Sequence, residues 1–244
     1  MIPKIIWQTY EVPFEELPQY IKDCAQTWKD CNPKWEYRYM DAKQRNDFVL
    51  NNFDKEWHNI FTKLPYGVLQ SDIWRHMVLF VHGGVYADLD TVCNESIETW
   101  LKDDMDTTVF IDDGDKEFCQ FLLASIPKNI VYKNLLDFIK NRIIDKNFIK
   151  NYLNKRIQIF ETNTTGAIAC TKAVRLFLNI PSELDLIKDY EKINNIEKVK
   201  ENKFFYYSHK VVDTNLVKHF TGSKVWTNNY IRWQEQDSIK ESFI

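Results

Sequence analysis

The 244-residue chain is 44% hydrophobic and 15% aromatic, enough apolar material for one or two packed domains. Its 32 basic and 35 acidic residues give a net charge of −3 without a basic face, which argues against nucleic-acid binding. Five cysteines, odd in number and without a CxxC pair, argue against a disulfide framework or a structural zinc and point to a reducing compartment.

The longest uncharged apolar run, Met77 to Val81, falls far short of the ~20 residues that span a bilayer. "MIPKIIWQTY" lacks a signal-peptide hydrophobic region and reads as a first strand, so the expectation is a soluble, cytoplasmic protein. "LPQYIKDCAQTWKDCNP" spaces Tyr20, Ile21, Cys24, Thr27 and Trp28 helically, and "WEYRYMD" alternates as a second strand. Strand, helix and strand at these lengths open a βαβ unit. "DAKQRNDFVLNNF" predicts a helix capped by Asp41, and "DKEWHNIFTKLPYGV" a loop with a short helix.

"LQSDIWRHMVLFVHGG" gives the clearest helix, with Ile73, Trp74, Met77, Val78 and Val81 in one stripe and a glycine stop. Asp72 and Arg75, at i and i+3, are expected on its opposite face. "VYADLD" then predicts a strand ending at Asp88 and Asp90, whose i, i+2 spacing on extended backbone aims both carboxylates at one spot. Two hard oxygen ligands at the C-terminal end of a parallel strand suit Mg²⁺ or Mn²⁺. "TTVFIDD" reads as another strand, and the stretch 116–156 as a mostly helical insertion or acceptor-side subdomain within one domain, 1–244. "RIQIFETNTTGAIACTKAVRLFL" reads as strand, loop and helix, and "KFFYYSHKVV" as a late strand.

The pattern Ser71-Asp72, Arg75, Leu79, Gly83-Gly84, Tyr86 and Asp88-x-Asp90 resembles the signature of the DXD sugar-binding glycosyltransferases. That family includes yeast initiating mannosyltransferases, bacterial capsular-polysaccharide transferases and, distantly, clostridial glucosylating toxins. "IPKIIWQTY", "TWKDCNPKWEYRYMDA", "TTGAIACTKAV" and "HFTGSKVW" resemble further family segments. Departures are Ala167, where proline is common, and Lys224 and Val225, which separate Ser223 from Trp226. The stretch 100–155 is unmatched.

The resemblance implies an α/β GT-A fold with a mostly parallel sheet. It also implies retaining transfer of a hexose from a nucleotide diphosphate sugar, UDP-sugar favoured over GDP-mannose, to a glycan or other hydroxyl acceptor. By that resemblance Asp90 binds Mn²⁺ (or Mg²⁺), Asp88 contacts ribose or sugar hydroxyls and reaches the metal through water, and His219 is a C-terminal metal ligand. Asp72 and Arg75 hold the donor sugar, and Trp7 stacks on the base beside Gln8 and Tyr86. Ser223, Lys224 and Trp226 close over the diphosphate. Two other readings compete: a haloacid-dehalogenase-like phosphatase using "DLDTV" with "FIDDGD", and a non-catalytic nucleotide-sugar-binding protein. A nuclease-like two-metal site lacks the basic surface it needs.

Overall fold

The computed structural model describes residues 1–112, 117–152, 155–207 and 216–219. β1 (Ile5–Thr9), α1 (Gln19–Cys31) and β2 (Glu36–Met40) form the expected βαβ unit, with Ile5 opposite Glu36 in parallel register. α1 starts after Pro18 and buries Ile21, Cys24, Ala25 and Trp28, spaced for one helical face. α2 (Ala42–Asn52) starts in a capping box: Gln44 N donates to Asp41 Oδ1 at 2.8 Å, and Asp41 N donates to Gln44 Oε1 at 3.0 Å.

α3 (Lys55–Lys63) leads to α4 (Gly67–His82), which Gly83 and Gly84 turn directly into β3 (Gly84–Ala87). Both glycines have positive φ, 66° and 102°. A β-carbon on Gly84 would lie 2.5 Å from Ile5 O, so the close approach of β1 demands glycine there. β3 ends one residue before Asp88, a correction to the expected strand through both aspartates.

β4 (Thr91–Cys93), α5 (Ile97–Trp100), β5 (Thr107–Asp112), β6 (Glu117–Phe118) and β7 (Leu122–Ser125) come next. α6 (Ile130–Ile144) and α7 (Lys146–Lys150) follow, then α8 (Ile157–Thr164) and α9 (Ala167–Leu178). α10 (Tyr190–Asn194), α11 (Glu197–Glu201), β8 (Phe204–Tyr207) and β9 (Val217–His219) complete the described chain. Among the described residues no helix is long and apolar enough to cross a membrane.

The main sheet has the order β2-β1-β3-β7-β5-β6, with β8 also pairing β5. β2, β1, β3, β5 and β8 run one way, whereas β7 and β6 run against them. The sheet is thus mostly parallel, as expected. Two elements differ from the sequence reading. The 116–156 stretch opens with β6 and β7, and β7 occupies the middle of the sheet, so helices account only for its later part. "RIQIF" is helical rather than a strand: Phe160 and Thr164, one turn apart, are buried, while Ile159 is exposed.

Both sheet faces are covered, and alternation assigns the residues. Trp7, Tyr86 and Leu123 join the large core against α4, α6 and α9. Their neighbours Ile6, Val85, Ala87, Leu122 and Ala124 join a second layer with Trp28, Ile97 and Trp100.

Candidate active site

Asp88 and Asp90 lie on a turn, not a strand. Asp88 N still donates to Phe121 O at 2.8 Å, continuing the β3–β7 ladder. The chain then folds back, with Thr91 N donating to Asp88 O at 3.2 Å. Gln8 Nε2 donates to the same carbonyl at 3.1 Å, and Tyr37 OH donates to Gln8 Oε1 at 2.7 Å. Between the aspartates, Leu89 is only 3% exposed and packs with Leu17, Ile21 and Ala25. Burying the leucine holds both carboxylates at the rim, where each is half-buried. Trp28 Nε1, donating to Thr91 Oγ1 at 3.0 Å, ties α1 to the far side of the turn.

Asp72 and Arg75 reach this rim from inside the protein. Their side chains are only 4% and 8% exposed. The pair on the face opposite the apolar stripe is buried because Gln120, Glu161, Thr165 and Cys170 close over that side of the helix. Arg75 Nη2 lies 2.9 Å from Asp72 Oδ1 and 3.6 Å from Asp88 Oδ1. Its Nη1 donates to Gln120 O at 2.8 Å, and its guanidinium carbon sits 4.9 Å from the Tyr86 ring centroid. Tyr86 OH donates to Asp88 Oδ1 at 2.6 Å, and Thr165 Oγ1 donates to Asp72 Oδ2 at 2.8 Å. Burial works against the Arg75 cation, but Tyr86, Asp88 and Asp72 outweigh it and hold the guanidinium more firmly protonated than in water.

A third acid completes the cluster. Glu161, on α8, is buried beside Asp72, and burial first and the Asp72 charge second push its carboxyl well above the usual range. The sequence reading missed Glu161, Thr165 and Gln120. Its only signal was the "TTGAIACTKAV" segment, which contains Thr165 but assigns it no role.

The remaining expected donor-binding residues divide. Gln8 and Tyr86 are at the site, but as buried supports of Asp88. Trp7 is not a base platform: it is fully buried, its Nε1 donates to Gly83 O at 2.9 Å, and His82 stacks on its ring at 5.5 Å. The cause is alternation along β1, which sends Trp7 into the core on the α4 side. His219 lies on β9 directly opposite Thr91, so its backbone runs beside the aspartate turn across 128 residues of sequence (219 minus 91). Ser223, Lys224 and Trp226 lie outside the described residues.

Among the described residues no group of three or more His, Cys, Asp or Glu side chains is arranged to hold a metal ion by itself. Two half-exposed carboxylates nevertheless fit a divalent ion that keeps most of its coordination for water and phosphate oxygens, the habit of Mg²⁺ and Mn²⁺.

His76, one turn beyond Asp72, is fully buried with Nε2 3.3 Å from Cys170 Sγ. Burial, reinforced by the Arg75 cation, lowers its pKa to about 3, so it is neutral. A depressed folded-state value contributes stability that is complete above the ordinary histidine range and is lost as pH falls towards the folded value. Wild type is therefore expected to lose about 2 kcal/mol of stability through this group between pH 7 and pH 5, and His76→Gln to lose none. Urea unfolding at both pH values checks this; equal losses in the two proteins would contradict it.

The family model for glycosyltransferase sugar-binding regions containing a DXD motif matches residues 18–106. An initiation-specific alpha-1,6-mannosyltransferase of Candida albicans is 32% identical over 104 residues, 41% of this chain and 27% of that protein. Its Schizosaccharomyces pombe namesake is 28% identical over 202 residues, 73% of this chain and 49% of that protein. An uncharacterized glycosyltransferase of Acanthamoeba polyphaga mimivirus is 24% identical over 237 residues, 96% of this chain and 84% of that protein. The chain thus spans about a quarter to a half of these fungal relatives. Among solved structures, PaToxG glycosyltransferase superposes with a TM-score of 0.56 at 14% identity, covering 82% of this chain and 77% of that one, which shows the GT-A fold. The likeness to glycosyltransferase sugar-binding regions that contain a DXD motif thus runs over residues 18–106, the part of the chain that holds α1, α4 and the Asp88–Asp90 turn.

Proposed function

We propose that the protein is a divalent-metal-dependent glycosyltransferase that moves a hexose from a nucleotide diphosphate sugar to a hydroxyl acceptor. The observation that carries this reading is the Asp72–Arg75–Asp88 chain of contacts, which ends at the rim beside half-exposed Asp90. Buried charges held this way keep their positions without reorganising when a ligand arrives, the condition for electrostatic preorganisation. In this reading Asp90 holds the metal and Asp88 takes the donor's hydroxyls. Asp72 and Arg75 lie beneath the sugar and fix Asp88. A divalent cation bound at the turn supplies charge neutralisation for the departing diphosphate. The β9–β4 pairing supports His219 as part of the C-terminal side of the donor site.

Two donor classes enter. UDP-hexose is the sequence expectation, and GDP-mannose is favoured by the mannosyltransferase relatives. The phosphatase reading gains nothing: Asp88, its required nucleophile, has Oδ1 engaged by Tyr86 OH and Arg75.

A panel of UDP- and GDP-sugars, incubated with protein and Mn²⁺ or Mg²⁺ and followed by proton NMR, tests the reading. Slow release of free sugar from one donor class, abolished by chelator, is the expected result. Tight donor binding without release would support the non-catalytic alternative, and neither binding nor release would overturn the reading.

A further inference from the structure

Charge that looks evenly mixed along the whole chain is gathered by the fold. The stretch 128–156 holds eight basic residues and two acidic ones, a local excess of six positive charges in a chain whose total is −3. Two of these lysines are neutralised: Lys133 pairs with Asp137 at 2.8 Å, and Lys140 with Glu56 at 2.5 Å. Arg142, Lys150 and Lys155 form no ion pair among the described residues, and neither do Lys172 and Arg175 of the neighbouring α9.

Arg142 is the centre of this surface. Its guanidinium lies over the Phe138 and Phe148 rings, 4.3 and 5.1 Å from their centroids, and donates to Asn163 O. Phe148 packs on Tyr152 at 5.0 Å, and Lys155 Nζ sits 5.2 Å from the Tyr152 ring centroid. On its other side Arg142 lines an open pocket of about 580 Å³ with Phe138, Lys172, Arg175, Leu176 and Ile180. Among the described residues, none that line this pocket is acidic. Arg175 is held there by two carbonyls, Pro181 O at 2.8 Å and Leu184 O at 3.0 Å. Carbonyls satisfy guanidinium N–H groups without cancelling their charge, so the stripe from Lys155 to Lys172 stays cationic.

Apolar side chains stand out of the same surface. Leu176 is 68% exposed, and Ile159, one turn before Asn163 on α8, is 44% exposed. Aliphatic tips set among unpaired cations suit an anionic lipid surface, whose phosphates meet the charges while the acyl boundary takes the tips. Single-stranded nucleic acid fits less well, because Arg142 and Lys155 already cover ring faces on which bases would stack. We infer that this face of α6, α7, α8 and α9 is a docking surface for anionic phospholipid headgroups. The inference goes beyond the transferase reading and stands without it. The face adjoins the candidate active site through α8: Asn163 O meets Arg142, and Thr165, two residues on, bonds Asp72.

Flotation of the 244-residue chain with vesicles tests the inference. Vesicles of phosphatidylcholine with an equal part of phosphatidylglycerol should carry the protein upward, and added salt should release it. Vesicles of phosphatidylcholine alone should leave it behind. Lys155→Gln and Lys172→Gln, both at exposed positions, should each weaken partitioning about fivefold, the share of one cation near an anionic surface. Leu176→Ser should weaken it by at least about fivefold through lost apolar contact. Lys22→Gln on α1, which packs on the other face of the sheet, should change nothing. Equal partitioning onto neutral vesicles, or none onto either kind, would overturn the docking surface. So would an unweakened Lys155→Gln/Lys172→Gln double variant, an unweakened Leu176→Ser, or capture of single-stranded RNA in place of vesicles.

Discussion

Asp90→Asn is expected to lower divalent-dependent sugar release by at least about a hundredfold while leaving the unfolding temperature near that of wild type. The separation of the two effects follows from how the turn is built. Leu89, not Asp90, anchors it in the apolar pocket, and the hydrogen bonds that shape it converge on the carbonyl of Asp88. Converting the half-exposed Asp90 carboxylate to an amide therefore removes a charge from the rim without opening the core. Asp88→Asn should behave differently: it weakens the acceptor of both Tyr86 OH and Arg75, so stability and activity fall together. Calorimetric titration of Mn²⁺ and donor into both variants checks the assignment. Unchanged Mn²⁺-dependent donor affinity in Asp90→Asn would remove Asp90 from the metal site.

The parts of this site that could be read in advance are those encoded by local rules. The α1 stripe, the Asp41 capping box and the glycine stop after α4 each leave a signature within one element, and each is present. The alignment of Asp72, Arg75 and Asp88 was legible because α4 runs straight into β3 through two glycines, so their proximity is nearly a local property. What periodicity could not supply is who covers the polar side of α4. The cover comes from Gln120, Glu161, Thr165 and Cys170, more than forty residues further along. Without it, Asp72 and Arg75 look like a solvent-exposed pair of little energetic worth. Trp7 failed for the same reason. An aromatic at a strand end is equally compatible with a ligand platform and with a core position, and only the placement of α4 and His82 decides between them. Glu161 carried no signal at all, since its partner Asp72 is a long-range contact.

Arg75→Met should destabilise the protein by about 3–5 kcal/mol, the range for breaking a buried ion pair by removing one member. The side chain stacks on Tyr86 and bonds the Gln120 carbonyl as well as Asp72, and the pair is almost fully screened from water. Methionine replaces much of the volume but leaves the Asp72 carboxyl in the interior without its cation, with Thr165 Oγ1 still donating to it. Asp72→Asn is the milder change, because the amide oxygen still accepts from Thr165 and Arg75 still faces Asp88. If the cost of Arg75→Met is mainly the stranded carboxylate, then adding Asp72→Asn should recover part of it, a non-additivity expected of groups in direct contact. Arg75→Lys should not rescue the site, since one ammonium cannot span Asp72, the Gln120 carbonyl and the Tyr86 face together. Urea unfolding of the two single variants and the double variant distinguishes these outcomes. Strictly additive losses would mean that packing, rather than charge, is what Arg75 supplies.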